Sequence, residues 1–377
     1  MSGELERGPG EAQRVSTLEL FFDLVFVFTI TQLTSVLSDE PTWTGLLQVC
    51  LMLGIIFWMY GGYAWLTNLV APDRLLRRLT LLGGMAGFLV IALAVPQSFS
   101  GAGATFGLAY LAVVLVHFGM FARSSQLTLR QAIVGLVPYN ISTAILVVIG
   151  GVIGGTSQYV IWAVAFALMW SSAKLIDSSG FELQPRHFVE RHGLVVIVAI
   201  GESIIAVGIG AAGTPVDGDL VLAGVLGLAL SACLWWSYFA ADEGLAERRM
   251  DQAPMCDRPR LAINAFGYWH LLILLGIISI STALKETTAH PFDELETAKA
   301  LALGGGVAIF LIGEALFRQT LAMGAARGRA LAALIALATI PIGASASATA
   351  QLVILLVLLT GMLAFEQRTA FRQTADR

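Results

Sequence analysis

Charge is scarce in this chain. Only 13% of its 377 residues are Asp, Glu, Lys or Arg, against roughly 25% in soluble domains. With 57% hydrophobic residues and a mean hydropathy of +0.79, no water-facing core hides so much apolar surface, and lipid is the expected solvent. Cysteine is scarcer still. Cys50 and Cys233 lie in apolar runs and Cys256 in a basic loop. With no Cys-x-x-Cys and no Cys/His cluster, neither a disulfide framework nor a zinc site is supported. No basic stripe with interleaved aromatics occurs, so no nucleic-acid partner is expected. Nucleophile elbow, P-loop and dinucleotide fingerprint are all missing. No cofactor is expected, and the reading leans away from an enzyme. The polar first 16 residues lack the basic start and cleavage site of a signal peptide, so the first apolar run should stay as a helix.

What is present is a series of membrane-grade runs. Twelve follow one another, from about 18–37 to about 348–366, each near the roughly 20 residues a span requires. The eleventh, near 328–343, is the weakest because Pro341 closes it early. Charge placement agrees with the count. Twenty of the 22 basic residues follow even-numbered runs or sit in the N-terminus, leaving Lys285 and Lys299 for the other side. The positive-inside rule then puts both termini in the cytoplasm of a multi-pass inner-membrane protein.

An internal repeat is visible. Glu19 with Val25-Phe26-Val27 lines up with Glu190 with Val196-Ile197-Val198, and Asp73-Arg74 with Asp257-Arg258. Six spans is an even number, so both halves share one orientation. The expected fold is an all-α integral membrane protein of about 12 transmembrane helices in two parallel-oriented six-helix repeats. The divisions are a tail 1–16, repeat one 17–178, a linker 179–192, repeat two 193–366 and a tail 367–377. The 39 glycines cluster inside runs, as in Gly304-Gly305-Gly306. They suit close helix packing, a substrate path or a homodimer.

Polar side chains at membrane depth carry the functional argument. An ionisable group in hydrocarbon costs at least about 2.5–3.5 kcal/mol on insertion scales and faces protein or water. Asp23 stands one turn inside the first run, on a stripe with Val27, Thr31, Thr34 and Ser38. Glu19 is one turn earlier, where capping and the positive helix end also favour an acid. Gln32, Asn140, Glu202 and His270 fall near the midplane of spans that all run the same way, about 15 Å deep. Glu202 has no basic residue within two turns. It reads as a proton-exchanging acid, or as an acid hydrogen-bonded to a neighbouring helix. His270, after Tyr268-Trp269, reads as its relay partner or as a core histidine. Asn140 follows Pro138-Tyr139, an interruption that marks a binding site or a simple kink.

A second polar group precedes the seventh run: Arg186, His187, Glu190, Arg191 and His192. The histidine spacing sets the rings about 140° apart on a helix, so no metal is expected. Lipid phosphate is the expected partner of Arg186 and Arg191. Lys174 and Asp177 read as an i,i+3 ion pair. His117 and Glu314 fall near span ends, where hydration is easy.

The segments Glu19-Leu-Phe-Phe-Asp-Leu-Val-Phe-Val-Phe28, Glu190-Arg191-His192-Gly193-Leu and Gly201-Glu202-Ser203-Ile-Ile together resemble the signatures of the bacterial low temperature requirement protein A family, over roughly residues 16–366. The resemblance implies a multi-span inner-membrane protein linked by name to growth in the cold, and no settled activity. A weaker likeness runs to potassium channels of six-helix repeats, whose first helix carries Arg…Phe-Ser-Asp. Here Arg14 precedes Phe21-Phe22-Asp23, and Leu194 stands where the second aspartate would fall.

The leading reading is a transporter or channel-like protein, with membrane lipids around it and a proton or small ion or solute as cargo. Its polar path is Asp23, Glu202 and His270, with Gln32, Asn140 and Glu19 beside it. A lipid-handling protein with a head-group site at residues 186–192, and a non-catalytic scaffold, are the alternatives.

Overall fold

The structure, a computed structural model, describes residues 15–70, 74–122, 127–175, 183–240, 242–324 and 326–375. Residues 1–14 and 176–182, the latter with the first part of the expected linker, and the expected Lys174–Asp177 pair lie outside the described residues. Among the described residues every regular element is helical. The first half comprises α1 (Thr17–Asp39), α2 (Trp43–Leu69), α3 (Leu75–Ala94), α4 (Gly103–Ala122), α5 (Leu127–Ile153) and α6 (Gly155–Leu175). Then come α7 (Pro185–Gly210), α8 (Gly218–Phe239), the short α9 (Asp242–Gln252), α10 (Arg258–Ala262), a π-helical turn Ile263–Trp269 and α11 (His270–Ala289). The chain ends with α12 (Thr297–Thr320), α13 (Arg327–Ala338), α14 (Ile340–Ser345) and α15 (Ala348–Ala375).

Local chemistry explains where these helices start. Ser16 and Glu19 form a reciprocal capping box at α1. Thr42 and Asp217 cap α2 and α8 with their side chains, and Pro185 occupies the first turn of α7, where its missing N–H is harmless. Gly154 and Gly155 turn the chain between α5 and α6 at φ of 69° and 59°. α5 carries Pro138 inside it. The expected eleventh run is divided at Thr339 into α13 and α14, with Pro341 at the start of the second piece.

Among the described residues, eleven helical stretches are long and apolar enough to cross a membrane. They are α1, α2, α3 with its terminal turn, α4, α5, α7, α8 with α9, α10 through α11, α12, α13 with α14, and α15. The sixth expected span is not among them. Its helix α6 has 21 residues, but Thr156, Ser157 and Gln158 dilute its apolar character. Outward-facing leucine, isoleucine and valine line the outer helices, Leu93, Leu228 and Val357 among them. So many exposed aliphatics fit contact with lipid rather than water.

Packing within the first six helices runs α2–α1–α3–α4–α5–α6 and back to α2. The later helices repeat that neighbour order as α8–α7–α11–α12–α13–α15 and back to α8. α1 also packs on α7 and α11, which joins the two groups. Two assumptions made from sequence change here. α7 begins at Pro185, so residues 185–192, expected in a linker, form its first turns. Arg191 and Arg329, counted among loop charges, are each only 1% exposed.

Backbones touch where α11 crosses α12. A Cβ on Gly276 would sit 2.7 Å from the Gly306 carbonyl oxygen, and one on Gly306 would sit 2.9 Å from that of Gly276. Gly305, between them in the run, meets only the Leu301 side chain at 3.5 Å. Gly306→Val should therefore destabilise the protein by about 1–3 kcal/mol through overpacking, while Gly305→Ala should be nearly silent. Thermal unfolding of the two variants in detergent checks this, and equal effects would contradict the crossing.

Candidate functional site

The site is built on the seam between α1 and α7. Three polar pairs span it in succession. At the first, the Glu19 Oε2 atom accepts from the Ser16 backbone N–H and hydroxyl, both at 2.8 Å, while Oε1 stands 3.1 Å from His187 Nε2. That approach is a close contact without good hydrogen-bond alignment, since both atoms lack a hydrogen-bond partner. Asn68 on α2 fixes the imidazole. Its Oδ1 accepts the Gln184 N–H at 2.9 Å, so its amide nitrogen faces His187 Nδ1 at 3.2 Å. An amide nitrogen only donates, so Nδ1 accepts and the ring proton sits on Nε2, toward Glu19.

One turn further, Arg191 Nη1 donates to Asp23 Oδ2 at 2.7 Å and to the Glu19 carbonyl at 2.6 Å. Tyr60 on α2 donates to the other oxygen, Asp23 Oδ1, at 2.9 Å. The guanidinium also lies 5.3 Å from the Phe22 ring centroid and 5.7 Å from that of Tyr60, within cation–π range. Asp23 is 2% and Arg191 1% exposed. This is an ion pair wrapped in aromatic rings. The third pair is Thr31 Oγ1 donating to Glu202 Oε2 at 2.5 Å, about 20 Å from the start of α1. Thr34, one turn on, is buried with its hydroxyl unpartnered.

The Asp23–Arg191 and Thr31–Glu202 pairs are 168 and 171 residues apart, so α1 and α7 run parallel in near-constant register. α7 and α11 are parallel too. Ser203 and Ser281 hydrogen-bond at 2.9 Å across 78 residues, and His192 and His270, the same number apart, bring their rings to 5.7 Å. This register separates two residues expected at one depth. His270 lies level with His192, ten residues or about 15 Å before Glu202. His270 does not reach Glu202. Its Nδ1 donates to the Ala265 carbonyl at 2.9 Å and its Nε2 takes the Tyr238 hydroxyl at 2.8 Å. Ala265 belongs to the π-helical turn, a form that concentrates at functional sites.

Beside the seam lies a half-enclosed cavity of about 130 Å³. Phe57, Trp58, Trp65, Phe118, Trp170 and Phe266 supply most of its wall, and His117, Asn140 and His192 its polar groups. Asn140 accepts the Trp58 indole N–H at 2.8 Å. The cavity therefore joins two residues singled out from sequence, Asn140 and His192, to one that was read as hydrated, His117, which is 6% exposed.

A family model described as bacterial low temperature requirement A protein (LtrA) matches residues 14–364. The chain belongs to this family. It is also 28% identical over 319 residues to an uncharacterized protein of Rhizobium meliloti (strain 1021), covering 80% of this chain and 76% of that one. No solved structure matches. In this LtrA-family chain the motif residues Glu19, Asp23, Arg191 and His192 converge on one end of the α1–α7 seam, and Glu202 stands further along it.

The remaining expected residues are scattered. Gln32 is half-buried and takes no part in these networks. Of the five residues expected at a lipid head-group interface, only Arg186 is exposed and Glu190 is half-buried, while His187, Arg191 and His192 face protein partners. One cluster went unnoticed. Arg329 contacts Asp242 at 3.1 Å, Glu314 at 3.0 Å and Glu366 at 3.1 Å, and Arg318 contacts Asp242 at 3.0 Å. Glu314, expected to be hydrated, is 1% exposed and accepts from Ser237. The available signal was Arg329 standing inside the weakest apolar run.

Removing one partner of a buried pair costs about 3–5 kcal/mol, whereas replacing both with apolar residues is often neutral. Arg191→Ala should therefore destabilise strongly, and the double variant Asp23→Leu/Arg191→Met should recover most of the loss. Unfolding of purified variants measures both. An Arg191→Ala protein as stable as the parent would show that the pair does not hold the seam.

Proposed function

We propose that this LtrA-family protein is a transporter or channel-like protein of the bacterial inner membrane, and that its α1–α7 seam handles a proton or small cation. The observation that carries the reading is the succession of Glu19/His187, Asp23/Arg191 and Thr31/Glu202 along one buried interface. Interhelical hydrogen bonds also serve packing, so the reading rests on three acids falling in succession along one seam. A line of acid, imidazole and hydroxyl groups is the material of ion and proton pathways. About 12 Å along α1 and about 16 Å along α7 separate the second pair from the third, and Val27, Val195 and Ala199, on the same helix faces between them, are apolar. The seam thus has two polar stations with a dry interval. Such an arrangement needs a conformational change or water entry to pass a charge, rather than a standing pore.

In this proposal α6 is the sixth of twelve spans, and the two helix groups are six-helix repeats of one orientation. Their identical neighbour order supports that division. The basic end of the bundle, where α1 and α7 begin, faces the cytoplasm along with both termini. Arg186, exposed at that end, contacts lipid phosphate, and a second copy of the chain is the expected oligomeric partner. The family's printed description names a low temperature requirement.

The test is flux in proteoliposomes under separate proton, K⁺, Na⁺ and anion gradients. Glu202→Gln and Thr31→Val should abolish or sharply reduce flux in protein that still elutes as a folded species. Undiminished flux in folded Glu202→Gln would remove the seam from the pathway. An absence of flux for every ion would remove the transport reading.

A further inference from the structure

We infer that the aromatic cavity between α2, α4, α5, α6, α7 and the π-helical turn is a binding site for a neutral, single-ring-sized molecule that carries a hydroxyl group. Size comes first. An apolar protein cavity of about 150 Å³ holds benzene, and this one, open on one side, is of the same order at about 130 Å³, which sets a single ring as the scale of the occupant.

Polar groups then select the ligand. His192 is 2% exposed, and its Nδ1 faces the Phe188 carbonyl at 2.8 Å. A carbonyl only accepts, so Nδ1 carries the proton and Nε2 is left as an acceptor with no hydrogen bond from the described residues. His117 repeats the pattern with the ring reversed. Its Nε2 donates to the Gly62 carbonyl at 3.0 Å, and its Nδ1 is buried without a partner. Asn140 spends its oxygen on Trp58, which leaves amide N–H groups in the wall. A cavity that offers an imidazole acceptor and an amide donor suits a hydroxyl, which both donates and accepts.

Charge narrows the class. Among the described residues no carboxylate lines the cavity. The nearest acids on the seam, Glu19 and Asp23, are engaged by Ser16 and His187 and by Arg191 and Tyr60. A cation would sit there without a counter-charge, at high desolvation cost, despite the aromatic wall. The occupant is therefore neutral.

Backbone geometry opens the space and supplies the test. Gly61 lines the cavity, and a Cβ added to it would meet nothing within 4 Å. Larger side chains at this position enter the cavity without first striking the helices. The site is independent of the transport reading, because binding needs no gradient. A protein without flux still binds, and a conducting protein with an unused cavity does not.

The experiment is calorimetric titration of the full-length protein in detergent, with empty micelles as the blank. The probes are phenol, its near-isostere toluene, and tetramethylammonium. Phenol should bind more tightly than toluene by about three- to tenfold, the worth of one neutral hydrogen bond, and tetramethylammonium should not bind. Gly61→Leu should abolish phenol binding, and Gly61→Ala, the milder change, should weaken it. His192→Phe keeps the aromatic packing and should erase the phenol-to-toluene preference. Equal binding of phenol and toluene, binding of tetramethylammonium, or phenol binding indifferent to both Gly61 variants would each overturn the assignment.

Discussion

The pairing of Asp23 with Arg191 is the constraint around which this molecule is arranged. Two opposite charges in a low-dielectric interior attract strongly, but each has lost its hydration, so the balance depends on every remaining polar atom finding a partner. Here Tyr60 donates to one carboxylate oxygen, the Glu19 carbonyl accepts from the guanidinium, and the Phe22 and Tyr60 rings lie against it, while Arg191 Nε is buried without a hydrogen bond among the described residues. Those requirements fix three helices at once. α1 must lie parallel to α7, α2 must bring Tyr60 across both, and the register cannot slip by one residue without stranding a charge. The parallel course of α11 follows, because it packs on both α1 and α7.

Much of the architecture was readable beforehand. Apolar length marked the helices, and Glu19, expected to be favoured by capping, stands in a capping box at a real helix start. Asp23, Glu202 and His270 stood out because polar groups are rare in such runs. Their partners did not. Asp23 meets Arg191 across 168 residues, a distance over which no local periodicity reports. Depth was misjudged for a related reason. Residues 186–192 are polar and read as a linker, yet they coil as helix because their partners are buried on α1 and α2. That moves the start of α7 back by two turns and places His270 beside His192 rather than Glu202. His117 and Glu314 were assigned to water by their position near helix ends. The backbone carbonyl of Gly62 and the side chain of Arg329 take the place of water for them.

The second charge cluster repeats the same logic with a different stoichiometry. Arg329 and Arg318 face three carboxylates, Asp242, Glu314 and Glu366, from four helices. It ties α9, α12, α13 and α15 together much as the first pair ties α1, α2 and α7. The break at Thr339 leaves α13 only 12 residues long, and its buried arginine gives it an anchor that apolar contact over so few turns would not.

The sequence separation within the first pair has a consequence for how the protein is made. Chains emerge from the ribosome at about 5–20 residues per second, N-terminal segments first. α1 enters the bilayer with its acid long before Arg191 exists, and 168 residues correspond to roughly 10–30 s of synthesis. During that interval the newborn helix holds an unmatched carboxyl in or near lipid. It must linger at the insertion machinery, ride high in the head-group layer or lean on the Tyr60 of α2, which arrives within seconds. The final embrace of α1 by α7 is thus a late event in biogenesis, when the first half of the molecule has already been laid down in the membrane.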